Sequence, residues 1–195
     1  MPEIASVLYG REEVRRRIEE LGRTITGDYE GREPVLISVL KGGIWFLADL
    51  FRTISLPVSV DFMSISRYGG AEESLGRVRI LKDLDQDIGG RDVLIVEDIV
   101  DTGLTLSYLI ATLESRDPAS IEVCTLLDKS VRRIAPLRLR YVGFDCPDRF
   151  VIGFGLDFRE RYRHVPDILA VDDVEALAAD PAVLHTLVQG TRPAG

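Results

Sequence analysis

The chain has 195 residues, of which 46% are hydrophobic and 29% are charged. This length and composition are typical of one globular domain with a single core, which we expect over residues 1–195. The formal net charge of −8 disfavours nucleic acid as a partner, because proteins that bind it usually carry a basic surplus. No apolar stretch approaches the roughly 20 residues of a membrane-spanning helix, so no membrane association is expected.

The N-terminal residues have no basic region followed by an apolar segment, so we expect no secretory signal. Cys124 lies in an apolar run, and Cys146 precedes a proline. Two cysteines in these settings form neither a disulfide framework nor the spacing of a metal site. A reducing, cytoplasmic location is the expectation that follows.

The first part of the chain alternates helical and strand patterns. Apolar residues at spacings of three and four predict a helix that two glycines end: Val14, Ile18, Leu21 and Ile25, then Gly27 and Gly31. Short apolar or alternating runs predict strands at residues 34–40 and 57–65, with a mostly buried helix at 44–54 between them. Residues 66–76 are polar and contain glycine, without an apolar period, and predict a mobile loop.

The rest of the chain continues this alternation. Strands are predicted at residues 78–81, 93–96, 121–127, 141–144 and 150–154, with a helix after Gly103. A weak helix is predicted over residues 173–179, and residues 181–195 are expected to form a surface tail. Strands alternating with helices predict an α/β fold with a doubly wound, mostly parallel sheet flanked by helices. In such sheets ligands bind beyond the carboxyl ends of the strands.

Residues 94–105 are the most informative stretch of the chain. An apolar run ends there in three acids and is followed by a small, hydroxyl-rich segment: Glu97, Asp98, Asp101, then Thr102, Gly103, Leu104 and Thr105. Backbone N–H groups at a strand–loop–helix junction, together with the helix dipole, can hold a phosphate. Carboxylates beside it would repel the phosphate unless a cation or sugar hydroxyls lay between them. The stretch therefore predicts a ligand with phosphate, vicinal hydroxyls and a metal; a plain acidic loop would leave the phosphate-type turn unexplained.

This stretch resembles the phosphoribosyl pyrophosphate (PRPP) loop of the type I phosphoribosyltransferases. The chain has neither a Walker A motif nor a Gly-x-Gly-x-x-Gly motif after a strand. Further motifs follow in the family's order as far as about Ile168, and with them the resemblance narrows to the hypoxanthine-guanine phosphoribosyltransferases. It implies the type I phosphoribosyltransferase fold with a small hood formed by terminal segments, Mg²⁺ as cofactor, and a homodimer or homotetramer.

The resemblance also implies roles for the residues around PRPP. Asp101 is the expected general base at purine N7. Glu97 and Asp98 are expected to engage the ribose hydroxyls, directly or through Mg²⁺, and the hydroxyl-rich segment to hold the 5′-phosphate. The full set of implied PRPP and phosphate residues is Leu40, Lys41, Gly42, Glu97, Asp98, Asp101, Thr102, Gly103, Leu104, Thr105 and Arg163.

Two segments away from the acidic stretch contribute to this set. Leu40, Lys41 and Gly42 resemble the family's pyrophosphate loop, in which the peptide bond before the lysine-equivalent residue can be cis; a plain glycine turn is the alternative. Arg163 aligns with an arginine that contacts pyrophosphate. Arg67 and Tyr68 occupy the place of the flexible lid, where Arg67 departs from the family's more familiar serine directly before the tyrosine.

The purine end of the site is implied in the same way. Lys129 aligns with the lysine that reads the 6-oxo group, a role that suits an ammonium because it only donates hydrogen bonds. Phe150 is expected to stack on the purine and Val151 to bind its edge through the backbone. Asp157 is expected near Mg²⁺, which makes the implied metal residues Glu97, Asp98 and Asp157. The alternatives are a surface Lys129 paired with Asp128 and a core position for Phe150.

The reaction that the resemblance implies is the magnesium-dependent transfer of 5-phosphoribose from PRPP to N9 of hypoxanthine or guanine. The products are IMP or GMP and pyrophosphate, which makes the chain a purine salvage transferase. Two alternatives remain, because a shared fold does not fix function. One is a regulatory RNA-binding attenuator on the same fold, which the net charge disfavours. The other is a phosphoribosyltransferase that prefers xanthine.

Overall fold

A computed structural model describes residues 4–68, 77–180 and 184 of the chain. Its strands and helices in chain order are β1 (Ala5–Tyr9), α1 (Arg11–Asp28), β2 (Val35–Leu40), α2 (Ile44–Thr53), β3 (Ser59–Tyr68), β4 (Arg77–Lys82), β5 (Asp92–Val100), α3 (Leu104–Glu114), β6 (Ser120–Asp128), β7 (Tyr141–Asp145), β8 (Phe150–Ile152), β9 (Ile168–Val171) and α4 (Val174–Ala179). Among the described residues, no helix combines the length and apolar character needed to cross a membrane.

The main sheet has the strand order β4-β3-β2-β5-β6-β7. All neighbours in it are parallel except β3 and β4, which run antiparallel. Because β2, β5 and β6 are parallel, their carboxyl ends meet at one edge of the sheet. This arrangement confirms the predicted α/β fold with a mostly parallel sheet, and it places the ends of the three central strands side by side.

Helices cover both faces of the main sheet, as expected for a doubly wound fold. Successive side chains of a strand point to opposite faces, and the central strands obey this rule. Leu36 and Leu94 pack in the core under α1 and α2, whereas Ile37 and Ile95 pack in the core under α3. The central strands are therefore buried on both faces, which explains why their sequences are continuous apolar runs.

A second, antiparallel sheet forms a small hood with the strand order β1-β9-β8. It joins the N-terminal strand to late strands of the chain, as the family resemblance implied. The buried Asp167 carboxylate ties the hood to the first helix, accepting hydrogen bonds from the Arg11 backbone N–H at 2.7 Å and from Arg11 Nη2 at 2.9 Å. The pattern of the sequence did not predict β1 or β9, which pair with each other although they lie at opposite ends of the chain.

Several predicted boundaries differ from the observed ones. Strand β5 continues to Val100, so Glu97 and Asp98 lie within the strand rather than after it. Strand β3 continues to Tyr68, so the backbone of the predicted lid residues Arg67 and Tyr68 is strand and not loop. Strand β8 ends at Ile152 because Gly153 and Phe154 have φ values of +91° and +45°. The predicted lid residues 69–76, and residues 181–195 apart from Leu184, lie outside the described residues.

Candidate active site

A cavity of about 310 Å³ opens at the carboxyl ends of the central strands. It lies between the end of β2, the end of β5 and the first turn of α3, and Ile65 of β3 closes one side. The residues that line it include Leu40, Ile65, Glu97, Asp101, Gly103 and Thr105. Of the three acids singled out in the sequence, Glu97 and Asp101 therefore line an open pocket of the size of a small polar ligand, whereas the Asp98 carboxylate lies against Gly42.

The turn between β5 and α3 has the geometry of an anion site. Gly103 has a φ of +80°, a conformation that glycine adopts without the steric cost that a side chain brings. The N–H groups in the first turn of a helix have no intrahelical acceptor, and the helix dipole adds positive potential there. Asp101 precedes this turn, and within the described part of the chain its Oδ1 is buried without a hydrogen-bond partner. The turn thus offers donors for an anion beside an unused carboxylate oxygen.

Glu97 and Asp98 are two partly buried carboxylates on neighbouring positions of β5. Burial raises the pKa of Glu97 well above its usual value, and the nearby Asp98 adds to this effect. Burial also raises the pKa of Asp98 to about 6, against the lowering effect of the Ile99 backbone N–H and of Arg163. Burial therefore works against the ionised form of both carboxylates, and a bound cation would favour that form.

The Glu97 and Asp98 carboxylates suit a Mg²⁺ ion that is also bound by the phosphates of a substrate. Over the described ranges, no group of three or more His, Cys, Asp or Glu side chains is arranged to hold a metal. Mg²⁺ usually keeps several waters and takes only one or two protein carboxylates, with substrate phosphates completing its shell. Glu97 and Asp98 supply that number, and Asp157 lies close enough to Asp98 to raise its pKa.

The loop after β2 packs tightly against this acid pair. The Leu40–Lys41 peptide bond is cis, as the resemblance implied for this loop. A Cβ atom added to Gly42 would overlap the Asp98 carboxylate, and one added to Gly155 would overlap the carbonyl oxygen of Gly42. A side chain at either position would force a neighbouring group to move, so the loop packs closely against both the Asp98 carboxylate and Gly155.

The side chains of Arg163 and Lys41 are linked through the carboxylate of Glu160. Arg163 donates from Nη1 to the Gly155 carbonyl at 2.7 Å, and its Nη2 lies 2.7 Å from Asp157 Oδ1. Glu160 links the two cations, with Oε2 at 2.7 Å from Lys41 Nζ and Oε1 at 3.2 Å from Arg163 Nη2. No role was predicted for Glu160, whose only signal in the sequence was its position three residues before Arg163.

Lys129 follows β6, and Lys41 follows β2, so the two lysines lie on opposite sides of β5 in the strand order. Its side chain is buried, and Nζ donates to the carbonyl oxygen of Arg149 at 2.6 Å and lies 3.5 Å from Asp148 Oδ1. The alternative interpretation of an exposed lysine paired with Asp128 is wrong, because Asp128 pairs with Arg133 instead. The Lys129 ammonium is thus held in place by a backbone carbonyl on the segment that carries the predicted purine residues.

Phe150 and Val151 begin β8 in the hood. Phe150 is 39% exposed, so the alternative of a core residue is wrong, and its ring meets Phe158 edge to face with 5.8 Å between centroids. Val151 is buried and pairs with Ala170 of β9. Phe150 is thus a partly exposed aromatic side chain, one residue after Lys129's backbone partner Arg149, and such a ring can stack on a flat ligand.

The fold and this site define a class of transferase that binds a phosphorylated sugar. A family model described as a phosphoribosyl transferase domain matches residues 8–159, and the chain belongs to the phosphoribosyltransferase family. It is 52% identical over 176 residues to the hypoxanthine-guanine phosphoribosyltransferase of Mycobacterium avium, with 87% of each chain covered. It is 47% identical over 166 residues to the Bacillus subtilis enzyme of the same name, covering 85% of this chain and 92% of that protein.

Solved structures give the same result. The chain is similar, with a TM-score of 0.83 and 45% identity, to a crystal structure of a hypoxanthine-guanine phosphoribosyltransferase (hpt-2) from Bacillus anthracis, which holds a HEPES molecule in its active site. The similarity covers 87% of this chain and 99% of that one. The family predicted from the motifs, and the fold that goes with it, are confirmed.

Proposed function

We propose that this protein is a purine salvage enzyme that transfers 5-phosphoribose from PRPP to N9 of hypoxanthine or guanine, giving IMP or GMP and pyrophosphate. The observation that carries the proposal is the cavity at the carboxyl edge of the sheet. It joins an anion-binding turn, the Glu97 carboxylate, whose pKa burial raises, and the unused Asp101 carboxylate oxygen. Relatives that share about half of the sequence bear the name of this activity.

The PRPP group would lie along the edge of the pocket. The turn from Thr102 to Thr105 would hold the 5′-phosphate through backbone N–H groups and hydroxyls. Glu97 and Asp98 would face the ribose hydroxyls. The pyrophosphate would lie beside the loop of Leu40, Lys41 and Gly42, within reach of Arg163.

Mg²⁺ would be held by Glu97, Asp98 and Asp157, partly through water. When bound, it would neutralise charge on the pyrophosphate leaving group. The fit of the two β5 carboxylates to a cation supports this assignment, since burial works against their ionised forms. The lid predicted at Arg67 and Tyr68 would keep water from the oxocarbenium-like sugar centre before the purine attacks.

Asp101 would act as the general base. Its buried Oδ1 carries no hydrogen bond from the described residues, so it is available to accept one from N7 of a purine. As N9 attacks C1′ of the ribose, the carboxylate would take the proton that the base must lose. Positioned proton transfer of this kind typically contributes about 10²–10⁴ in rate.

Three residues, Lys129, Phe150 and Val151, would bind the purine. The Lys129 ammonium, held by the Arg149 carbonyl, would donate to the 6-oxo oxygen. An ammonium cannot accept a hydrogen bond from a 6-amino group, which favours hypoxanthine and guanine over adenine. The exposed ring of Phe150 would stack on the base, and Val151 would bind its edge through the backbone.

We expect a homodimer or homotetramer in the cytoplasm, without a nucleic-acid or membrane partner. A net charge of −8 supports the enzyme over an RNA-binding attenuator, which would need a basic face. The relatives' names give no support to a xanthine-preferring enzyme.

A spectrophotometric assay that follows PRPP-dependent nucleotide formation tests the proposal. It would compare hypoxanthine, guanine, xanthine and adenine, each with and without Mg²⁺. We expect turnover of hypoxanthine and guanine that requires Mg²⁺, and no turnover of adenine. Activity with adenine alone would contradict the role of Lys129, and no activity with any purine would contradict the function.

A further inference from the structure

The Glu160 carboxylate forms ion pairs with two cations, Lys41 and Arg163, beside the position proposed for pyrophosphate. One of its oxygens lies 2.7 Å from Lys41 Nζ and the other 3.2 Å from Arg163 Nη2. Each oxygen thus engages a different cation, as two oxygens of a bound phosphate group would. A pyrophosphate that is held by Lys41 and Arg163 must first replace Glu160.

The contact is weak enough to be replaced. The side chains of Lys41 and Glu160 are 64% and 63% exposed, so their ion pair contributes little because solvent screens it. The second partner of Glu160, Arg163, is 16% exposed, but its contact is longer, at 3.2 Å. A pyrophosphate carries more charge than one carboxylate and forms shorter charge-assisted hydrogen bonds. Pyrophosphate would therefore displace the Glu160 carboxylate, but its affinity would be lower because the ion pairs of Glu160 must be broken first.

The backbone holds Glu160 in position for this competition. Arg159 and Glu160 have φ values of +52° and +64°, a conformation that residues with side chains rarely adopt and that clusters at ligand-binding segments. The backbone N–H of Glu160 donates to Asp157 Oδ2 at 2.8 Å. The Asp157 carboxylate in turn pairs with Arg163 at 2.7 Å. When the Glu160 side chain moves away, Asp157 keeps both the turn and the Arg163 guanidinium in place.

We propose that Glu160 is an internal competitor of the pyrophosphate group. It holds Lys41 and Arg163 when no pyrophosphate is bound, leaves them when PRPP or pyrophosphate binds, and returns to them as pyrophosphate departs. The inference rests on the proposed function, because it concerns the leaving group of that reaction. Its consequence is that this chain binds pyrophosphate more weakly, and releases it faster, than its cations alone would allow.

Calorimetric titration with inorganic pyrophosphate, in the presence of Mg²⁺, tests this inference on the full chain. We expect Glu160→Gln to lower the dissociation constant by about threefold to tenfold, the range that loss of exposed ion pairs permits. Glu160→Asp keeps the charge but is one methylene shorter, so it should tighten binding in the same direction by less. The control is Glu12→Gln, which removes the same charge from an exposed pair with Arg15 on α1 and should leave the constant unchanged.

Kinetics add a second measurement. The KM for PRPP and the inhibition constant of pyrophosphate should both fall in Glu160→Gln, whereas the dissociation constant of IMP, which lacks the pyrophosphate, should change less than twofold. Unchanged or weaker pyrophosphate binding in both Glu160 variants would overturn the inference, because Glu160 would then only order the cations. A wild-type chain that neither binds pyrophosphate nor converts hypoxanthine would overturn the proposed function itself.

Discussion

Arg133 holds the backbone of Asp101, the residue to which we assign the general base. Its Nη1 donates to the carbonyl oxygen of Asp101 at 3.0 Å, while its Nη2 pairs with the carboxylate of Asp128. Asp101 follows β5 and Asp128 ends β6, so the guanidinium joins the ends of two neighbouring strands. Both side chains of the Arg133–Asp128 pair are less than one fifth exposed. Arg133 is therefore placed to fix Asp101 relative to the purine end of the site.

Arg133→Lys tests this positioning role. Lysine keeps the charge but has no planar fork, so it cannot bind the carbonyl and the carboxylate together. We expect kcat to fall about tenfold to hundredfold, the effect of a small misplacement of a reacting group, with a smaller change in the KM for PRPP. In an Asp101→Asn background the same substitution should have little further effect on kcat, because its target is already lost. Equal losses in both backgrounds would show that Arg133 acts independently of Asp101.

Asp101→Asn tests the general base directly. The amide cannot take up the proton from the purine, whereas its size and hydrogen-bonding reach are nearly those of the carboxylate. We expect kcat to fall by about 10²–10⁴, with little change in the dissociation constant of IMP. Steady-state kinetics and nucleotide titration measure the two quantities. A variant with near-normal kcat would exclude Asp101 as the base.

Lys129→Gln tests purine selection. Glutamine both donates and accepts hydrogen bonds, so it can face a 6-amino group that the ammonium rejects. Loss of a charged hydrogen bond costs about 1.5–3 kcal/mol, so we expect kcat/KM for hypoxanthine to fall roughly tenfold to a hundredfold, with measurable adenine turnover. The control is Arg132→Gln, which removes the other cation on Asp148 and should leave purine preference intact. If Lys129→Gln discriminates between hypoxanthine and adenine as the wild type does, a residue other than Lys129 recognises the 6-position of the purine.

Gly42→Ala tests the close packing of the pyrophosphate loop. The added methyl group would overlap the Asp98 carboxylate, so either the loop or the acid must move. We expect the KM for PRPP to rise at least about tenfold, since a misplaced binding group costs a factor of this size or more. Gly27→Ala is the matched control, because its Cβ would point into open space on α1. That variant should keep its activity and gain up to about 1 kcal/mol of stability.

Asp61→Asn tests a carboxylate that serves the fold rather than the reaction. Asp61 is 4% exposed and accepts hydrogen bonds from the backbone N–H groups of Phe62, Asp85 and Gln86 at 2.7–3.1 Å. Burial acts to raise the pKa of Asp61, but these N–H groups and Lys82 outweigh it and hold the pKa below its usual value. We expect the substitution to lower the free energy of unfolding by about 1–3 kcal/mol at pH 7.

The pH dependence of that loss follows from the direction of the pKa shift. A carboxylate with a lowered pKa in the folded state stabilises the fold above its unfolded pKa of about 3.9, and this contribution disappears as the pH falls through the folded pKa. The difference between wild type and Asp61→Asn should therefore shrink below about pH 4, as urea unfolding at several pH values would measure. Asp49→Asn, a control on α2 whose side chain is 41% exposed and pairs only with the exposed Arg52 among the contacts described, should change stability by less than about 0.5 kcal/mol at either pH.

Much of the fold was predictable because its signals are local. The continuous apolar runs of β2, β5 and β6 and the helical spacings of α1 identified the parallel sheet and its helices, and the confirmed family rests on motifs that follow those strands. The hood was harder to predict. Its strand β1 is five residues long and pairs with β9, Ala5 with Val171, and no pattern within either segment indicates a partner so distant in the chain.

The chemistry of residues 97–105 was determined by the sequence itself, since a strand that runs into acids and then into a phosphate-type turn brings those groups together by covalent connection alone. Only the tertiary structure decided what surrounds them: Arg133 on the carbonyl of Asp101, Asp98 against Gly42, and Glu160 across Lys41, a residue 119 positions away. Such contacts depend on how separate segments pack at one edge of the sheet. Packing is a property of the whole chain. Residue types and spacings could therefore identify the acids of this site but not the residues that contact them.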